Sequence, residues 1–311
     1  MIQLPAGLNC FVMFRTLDDL QRVILDQKKK KRLVLAVSQD GQSLGAINDT
    51  YKAGIIEPVL IGSKKITDQL IEEGGYDLSD VKMIDEPDAE KAVKKAVRMV
   101  HNGEADILMK GKVATPVLLK GVLNKEWGLR TGRLLSHFAL FEVKTYHKLI
   151  AVTDVAMNIA PNLSDKIQII NNSVDFLNKM GIPKPKVAVL GAIEMVNENM
   201  QATLDAALLS KMNQRDQIKH CIIDGPLAFD NAVSFESAKH KGIRSDVAGD
   251  TDLLLMPDIE VGNVLYKSLV FFAKAKVASV ILGAAAPIVL TSRSDSEESK
   301  FNSILLAVIG S

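Results

Sequence analysis

The residues 291–300, TSRSDSEESK, place hydroxyls, a guanidinium and several carboxylates directly after a long apolar run. Arg293 can bind a phosphate group through two parallel hydrogen bonds, and it keeps its positive charge at neutral pH. Ser292 can donate a hydrogen bond, and the helix predicted to follow the loop would offer free backbone N–H groups to an anion. A solvated turn would be polar as well, so this loop alone leaves both interpretations open. The more specific one is an anion-binding site.

Polar side chains also follow four other strand-like runs. In open α/β sheets, ligands bind beyond the carboxyl ends of the strands, so these positions are candidate binding residues. They are Lys110, Lys112 and Thr115 in MKGKVAT, Asp154 and Asn158 in TDVAMNIAPN, Asp224 and Asp230 in DGPLAFDNA, and Asp258 and Asn263 in PDIEVGNVLYK. Each could instead cap a helix or complete a turn. Together with the loop after residue 290, they predict one shared cleft.

Several common site signatures are absent from the sequence. It contains no G-x-G-x-x-G, no P-loop, no C-x-x-C and no H-E-x-x-H, so neither a dinucleotide fingerprint nor a dense metal site is indicated. We therefore expect no metal site. The histidines are scattered, and only His137, inside LLSHFALF, is placed where it could line a cleft. We expect it to be a core histidine with its hydrogen bonds satisfied.

Length and composition predict an ordinary globular protein of two domains or one divided domain. The chain has 311 residues, 47% of them hydrophobic, and a formal net charge of +1. No global field would draw such a chain to nucleic acid or to a membrane surface, so neither is expected as a partner. Cys10 and Cys221 are far apart in sequence, which suits a reducing cytoplasm better than a disulfide framework. The apolar start has no basic segment and does not resemble a signal peptide.

Short apolar runs alternate with amphipathic ones along most of the chain. Buried strands are predicted within 32–39, 57–63, 81–87, 105–111, 149–156, 186–192, 220–227 and 252–258, and one more in the long apolar run 277–290. Helices are predicted at 44–54, 65–75, 88–104 and 164–181, with Asp88 as an N-cap and Gly181 as a C-terminal stop. This alternation predicts an α/β fold with mostly parallel sheets.

One segment interrupts the alternation. Two strand-like runs, 135–143 and 149–156, are separated only by a short polar connection, which predicts an antiparallel hairpin near a domain boundary. We place the boundary near residue 127. The prediction is a split first α/β domain, 1–126 plus 282–311, and a second α/β domain, 127–281.

Five stretches together resemble the phosphate acetyl/butyryltransferase family. They are ADILMKG, RLLSHFALFE, GPLAFDNA, PDIEVGNVLYK and PIVLTSRSDS, and the resemblance extends from about residue 16 to the end. LLSHFALFE and TSRSDS are more similar to the butyryl branch than to the acetyl branch. The resemblance implies a two-domain fold like that of the isocitrate and isopropylmalate dehydrogenases, with substrates in an interdomain cleft. It also implies a homo-oligomer, either a dimer or a larger assembly, and we expect the apolar hairpin at 133–156 to form its contact.

The implied reaction is reversible transfer of a butanoyl group between coenzyme A and inorganic phosphate, without a metal or a permanently bound cofactor. In acetyl-branch relatives a Ser-Arg pair after the last long strand holds the acyl phosphate, and here the pair is Ser292 and Arg293. The proposed base of those relatives matches Ser299, which cannot act as one. Asp295 is the first substitute and Glu298 the second, although Asp295 could be only a helix N-cap. A positioned carboxylate suffices to take a proton from a thiol of pKa about 8.5.

Two further positions depart from the acetyl-branch pattern. Val155 stands where those relatives have a cysteine, and Phe271 stands near the position of an arginine. The coenzyme A phosphates would then need other cations, for which Lys110, Lys112 and Lys120 are the nearest candidates. No side chain is an evident covalent nucleophile, which favours direct transfer in a ternary complex over a ping-pong route.

Three alternatives remain open from the sequence. A phosphate acetyltransferase would share the chemistry and differ only in acyl length. A catalytically inactive sensor of acyl phosphate or coenzyme A is suggested by the serine at position 299. A metal- and NAD-dependent decarboxylating dehydrogenase would need an aspartate cluster, for which Asp224 and Asp230 are a weak indication.

Overall fold

The computed structural model describes residues 14–26, 30–291 and 295–311. The first elements along the chain are α1 (Leu17–Asp26), β1 (Lys31–Ala36), α2 (Gly41–Lys52), β2 (Ile56–Gly62), α3 (Lys64–Gly74), β3 (Lys82–Asp85), α4 (Ala89–His101), β4 (Ile107–Lys110) and α5 (Thr115–Val122). The middle elements are β5 (Ser136–Glu142), β6 (Ile150–Thr153), α6 (Leu163–Lys179), β7 (Lys186–Leu190), α7 (Gln201–Gln214), β8 (Ile222–Leu227), α8 (Phe229–Val233), α9 (Phe235–His240), β9 (Leu253–Leu255) and α10 (Ile259–Phe271). The chain finishes with β10 (Lys276–Leu282), β11 (Ile288–Val289) and α11 (Glu297–Gly310).

The chain divides into two compact units. The first unit contains residues Leu17–Arg133 and Val277–Ser311, and the second contains Leu134–Lys276 together with the described residues up to Thr16. Each unit alternates strands with helices, as the apolar pattern predicts. The α/β class with mostly parallel strands is therefore confirmed.

Local sequence signals set the helix ends. The Asp88 side chain accepts a hydrogen bond from the Lys91 N–H at the start of α4, which confirms the predicted N-cap. Asn162 and Asp165 form a reciprocal capping box at the start of α6. Gly181 follows that helix with φ of 93°, a left-handed conformation that glycine adopts without strain.

The strands of the first unit lie in the order β3-β2-β1-β4-β11-β10. From β3 to β11 all neighbours are parallel, and β10 is antiparallel to β11. The side chains of Leu33, Leu35, Ile107 and Met109 are fully buried, because helices cover a parallel sheet on both faces.

The apolar run 277–290 differs from its prediction. It contains two strands rather than one, and β10 and β11 are joined by a turn that includes Gly283, whose φ is 93°. Pro287 precedes β11. The positive φ reverses the chain inside the run, so hydrophobicity alone could not show where the strand ends.

The second unit has its strands in the order β5-β6-β9-β7-β8. β6, β9, β7 and β8 pair in parallel, and β5 pairs antiparallel with β6, which confirms the predicted hairpin. The side chains of Phe138, Phe141 and Ile150 are buried within the chain. These side chains fill the core and are not available to a second copy, so contact through the rest of the segment 133–156 stays a prediction.

Cys221, beside the start of β8, is buried, and burial raises the pKa of its thiol to about 12. None of the helices that the structure describes is long and apolar enough to cross a membrane.

Candidate functional site

The candidate residues of the first unit lie at the carboxyl ends of three adjacent strands. Ala36 of β1 pairs with Lys110 of β4, and Met109 pairs with Val289 of β11. The segments that follow these strands therefore leave the sheet at one edge. They contain Asp40, the predicted Lys110–Thr115 group, and Thr291. The register thus places these residues at one edge of the sheet, and their predicted membership of a shared cleft stays a prediction.

The backbones at the ends of β1 and β4 approach each other closely. The N–H groups of Gly111 and Lys112 donate to the carbonyl oxygens of Ala36 and Val37 at 2.9 and 2.8 Å. A Cβ at position 111 would lie 2.1 Å from the Val37 oxygen, so only glycine fits there. Val37 has φ of 63°, which is strained for a β-branched residue. Strain of this kind is concentrated at functional sites.

The lysines predicted to bind phosphate groups differ in environment. Lys110 is buried, and its Nζ donates to the carbonyl oxygens of Gly111 and Val113 at 3.2 and 3.4 Å. Its ammonium thus helps to hold the loop after β4. Lys112 and Lys120 are exposed, and Thr115 is the first residue of α5. Phosphate binding by these four residues stays a prediction.

The predicted anion-binding loop, residues 291–296, is described only at its two ends. Ser292 and Arg293 lie outside the described residues. Asp295 is half-buried and Glu298 is exposed in the first turn of α11. The N-cap of α11 is Ser296, whose hydroxyl accepts from the Ser299 N–H at 3.2 Å. Asp295 is therefore not the N-cap, and its role as the base stays a prediction, as does that of Glu298.

Sequence reasoning missed a buried polar network beside this loop. The Lys300 side chain of α11 is 2% exposed, and its Nζ lies 3.3 Å from Asp40 Oδ2 and 3.2 Å from Thr291 Oγ1. Asp40 Oδ2 also accepts from the Ser43 hydroxyl. The sequence gives no signal for these contacts, because lysine is usually exposed and Asp40 is 260 residues away.

In the second unit, Asp154 organises the loop after β6. Its Oδ1 accepts from the backbone N–H groups of His137, Ala156 and Met157 at 2.9 to 3.2 Å. Its Oδ2 accepts from the backbone and the side-chain amide of Asn158. The carboxylate is buried and already has five donors, so the structure shows a structural role. Substrate binding by Asp154 and Asn158 stays a prediction.

His137 is a core residue, as expected, but its hydrogen bonding is incomplete. The imidazole is buried, and its Nδ1 has no hydrogen-bond partner among the described residues. Its ring packs edge-on to Tyr266 with a centroid distance of 6.1 Å. Burial lowers the pKa of His137 to about 4, and the nearby Asp154 carboxylate only partly opposes this shift. The expectation of satisfied hydrogen bonds is therefore wrong for Nδ1.

The remaining predicted residues of the second unit have local partners. Asp258 caps α10 by accepting from the Val261 N–H at 2.9 Å, and Asn263 donates to the Val155 carbonyl oxygen at 3.4 Å. Asp224 accepts from the Gly225 N–H at 2.8 Å. These contacts fit the capping and turn roles that the sequence left open, and ligand binding by these residues stays a prediction.

A charged group lies after β7 and β8. Lys241 Nζ is 3.3 Å from Glu194 and 3.5 Å from Asp230, so Asp230 already faces a cation. Among the described residues, no three His, Cys, Asp or Glu side chains are grouped so that they could hold a metal ion.

The first unit thus combines buried lysines, a strained strand end and a helix that begins just after a Ser-Arg sequence. Whether these groups bind a phosphoryl or acyl group stays a prediction. The model of the phosphate acetyl/butaryl transferase family matches residues 18–96 and 87–308. The chain belongs to this family.

Individual relatives place the chain within the family. It is 48% identical over 282 residues to the phosphate butyryltransferase of Clostridium acetobutylicum, covering 91% of this chain and 94% of the relative. It is 47% identical over 281 residues to the phosphate acetyltransferase of Thermotoga maritima, covering 90% of this chain and 95% of the relative.

Solved structures agree on the fold. A branched-chain phosphotransacylase from Enterococcus faecalis has a TM-score of 0.80 at 33% identity, covering 90% of this chain and 98% of that one. A 4-hydroxythreonine-4-phosphate dehydrogenase homologue from Salmonella typhimurium has a TM-score of 0.58 at 15% identity, covering 91% of this chain and all of that one. The predicted dehydrogenase-like fold is therefore confirmed.

Proposed function

We propose that this protein is a phosphate butyryltransferase, which moves a butanoyl group between coenzyme A and inorganic phosphate. The observation that carries the proposal is the 48% identity to the clostridial phosphate butyryltransferase along 91% of the chain. The likeness to a branched-chain phosphotransacylase, with a TM-score of 0.80, supports an acyl group longer than acetyl.

The proposed chemistry is direct transfer in a ternary complex. A phosphate oxygen attacks the thioester carbonyl carbon, and the resulting oxyanion is stabilised by Arg293 and by the Ser292 hydroxyl. The intermediate collapses by breaking the carbon–sulfur bond, which releases butanoyl phosphate and the coenzyme A thiolate. In the reverse direction a base takes the thiol proton, and Asp295 is the first candidate and Glu298 the second.

The remaining candidates would bind the substrates. Lys110, Lys112 and Lys120 supply cations for the phosphates of coenzyme A, and the polar ends of β6, β8 and β9 contribute groups from the second unit. Coenzyme A is then a substrate and product, with no permanently bound cofactor or metal. We further propose that the two compact units are the two domains, and that the enzyme acts in butanoate metabolism in the cytoplasm.

We also propose that the protein is a homo-oligomer in which α10 meets a second copy. This helix and the residue that follows it expose apolar side chains, with Val264 64%, Phe271 60% and Phe272 90% exposed. An exposed apolar patch of this kind is typical of an interaction surface. Light scattering should show a dimer or larger assembly for the wild type and monomers for a Val264→Asp/Phe272→Asp double variant. A monomeric wild type would refute this part of the proposal.

The decisive experiment measures phosphate-dependent release of coenzyme A from acetyl-, butanoyl- and hexanoyl-CoA, with a thiol reagent and a chelator present. A preference for butanoyl-CoA supports the proposal. A preference for acetyl-CoA would instead favour a phosphate acetyltransferase, which the 47% identity to the Thermotoga enzyme makes the second candidate. Absence of release from all three would refute both.

A further inference from the structure

The ammonium of Lys300 is an unusual group in the first unit. It is almost completely buried, with a side chain 2% exposed, and no step of the proposed reaction uses it. Burying a charge is costly unless the charge is paired and hydrogen-bonded. The Lys300 ammonium has one ionic partner, Asp40 Oδ2 at 3.3 Å, and one neutral hydrogen-bond partner, Thr291 Oγ1 at 3.2 Å.

The two partners of the Lys300 ammonium follow two different strands of the sheet. Asp40 follows β1 and precedes α2, and Thr291 follows β11, two strands away in the sheet. Thr291 is itself buried, and it is covalently bonded to Ser292, the first residue of the proposed Ser-Arg pair. The contact from Lys300 therefore restrains the last described residue before that pair.

The network is anchored on both sides. The Asp40 carboxylate also accepts from the Ser43 hydroxyl in the first turn of α2, so it is held from its own helix. Lys300 is in α11, which packs against α2 in the same unit. Because the ammonium is held by two packed helices, its hydrogen bond restrains Thr291 relative to those helices. An exposed lysine side chain could instead move together with the loop.

We propose that Lys300 is a positioning residue for acyl transfer, which fixes the Thr291 hydroxyl and thereby the residue to which the Ser292–Arg293 pair is covalently joined. This inference rests on the proposed function. Arg293 must meet the developing oxyanion within a narrow range of distance, and an error of about 1 Å in such a group costs up to 100-fold in rate. Lys300 itself does not contact the reacting atoms.

A purely structural lysine is the competing explanation, and the chain supplies a matched control for it. Lys166 in the second unit is also buried and pairs with Asp205 at 2.6 Å, far along the chain from the loop. Lys166→Met and Lys300→Met each remove one buried ammonium with little change in side-chain volume. Only the second removes a contact to Thr291.

The test compares Thr291→Val, Lys300→Met and Lys166→Met with the wild-type full chain, well below their unfolding temperatures. We expect Thr291→Val and Lys300→Met to lower kcat by about 10- to 100-fold, with KM for butanoyl-CoA within twofold of the wild type. The double variant should be no slower than Lys300→Met, because both changes remove the same contact. Lys166→Met should lower the thermal midpoint and keep kcat within twofold.

Three results would overturn the proposal: Thr291→Val with kcat within twofold of the wild type, additive losses in the double variant, or an equal loss of kcat in Lys166→Met. Should Lys300→Met fail to fold, Thr291→Val decides alone, since it leaves the Lys300–Asp40 ion pair in place. The proposed function fails separately, if the wild type releases no coenzyme A. An active wild type with an inactive Arg293→Ala and a fully active Thr291→Val would refute only the positioning role.

Discussion

Lys166 and Asp205 form an ion pair inside the second unit, with Nζ and Oδ2 2.6 Å apart and each side chain 5% exposed. Asp205 also accepts from the Gln201 side chain at 2.8 Å, which ties the start of α7 to the same group. Removing one partner of such a pair leaves an uncompensated buried charge. Breaking this pair should therefore destabilise the protein more than breaking a surface ion pair does.

The first prediction concerns that pair. Asp205→Asn should lower the free energy of unfolding by about 3 to 5 kcal/mol, because the Lys166 ammonium loses its counter-charge in a buried site. Urea unfolding followed by circular dichroism measures the change. Asp68→Asn is the control, since it breaks the exposed Lys64–Asp68 pair and should cost at most about 0.5 kcal/mol. Equal effects of the two variants would contradict the prediction.

The second prediction concerns the proposed transfer chemistry. Arg293→Ala should lower kcat by about 100- to 1,000-fold, because the developing oxyanion loses its main positive partner. Lys30→Ala removes an exposed cation and should leave the rate unchanged. Release of coenzyme A from butanoyl-CoA gives both rates. Full activity of Arg293→Ala would show that the site assignment is wrong.

The third prediction concerns pH and His137. Its pKa of about 4 in the folded chain, caused by burial, is below the usual value of 6.5. The neutral form therefore contributes stability that is complete above pH 6.5 and is lost as pH falls from 6.5 through 4. The wild type should lose about 2 kcal/mol more than His137→Leu between pH 8 and pH 5.

Urea unfolding at each pH measures that difference. His240→Leu removes an exposed imidazole and is the control, which should follow the wild-type curve. Parallel curves for wild type and His137→Leu would contradict the prediction.

The fourth prediction concerns Asp250 at the amino ends of the second unit's strands. Burial disfavours its charged form, but hydrogen bonds from Lys148, Lys186 and His147 outweigh burial and hold the pKa of Asp250 well below its usual range. Its ionised form thus contributes stability that is present above about pH 4 and is lost as pH falls further. Asp250→Asn should be less stable than the wild type at pH 7, and the difference should shrink below pH 4. A difference that stays constant down to pH 2 would contradict this.

Much of the fold could be predicted because its signals are local. The Asp88 cap, the Gly181 stop and the hairpin from 135 to 156 each depend on residues adjacent in sequence. The family resemblance rests in the same way on contiguous stretches, and the family match along the chain confirms it.

The buried polar contacts could not be predicted, because they depend on distant segments. Lysine is a residue type that usually lies on the surface of a helix. Only the packing of α11 against α2 brings Lys300 to Asp40. The turn inside 277–290 escaped prediction because two short apolar strands have the same hydrophobicity as one long strand. The sequence could not decide whether Asp295 or Ser296 caps α11, because both residue types are good N-caps. The structure shows that Ser296 is the cap, since α11 begins at Glu297.

The buried thiol of Cys221 can report local unfolding of the second unit without any added label. Thiol reagents attack the thiolate, and a buried group with a pKa of about 12 offers almost none of it in the closed state. Alkylation at this position therefore proceeds only as fast as β8 and its surroundings transiently unfold. Timed alkylation followed by mass spectrometry of the Cys221 peptide would record those openings in the unmodified protein, during turnover as well as at rest.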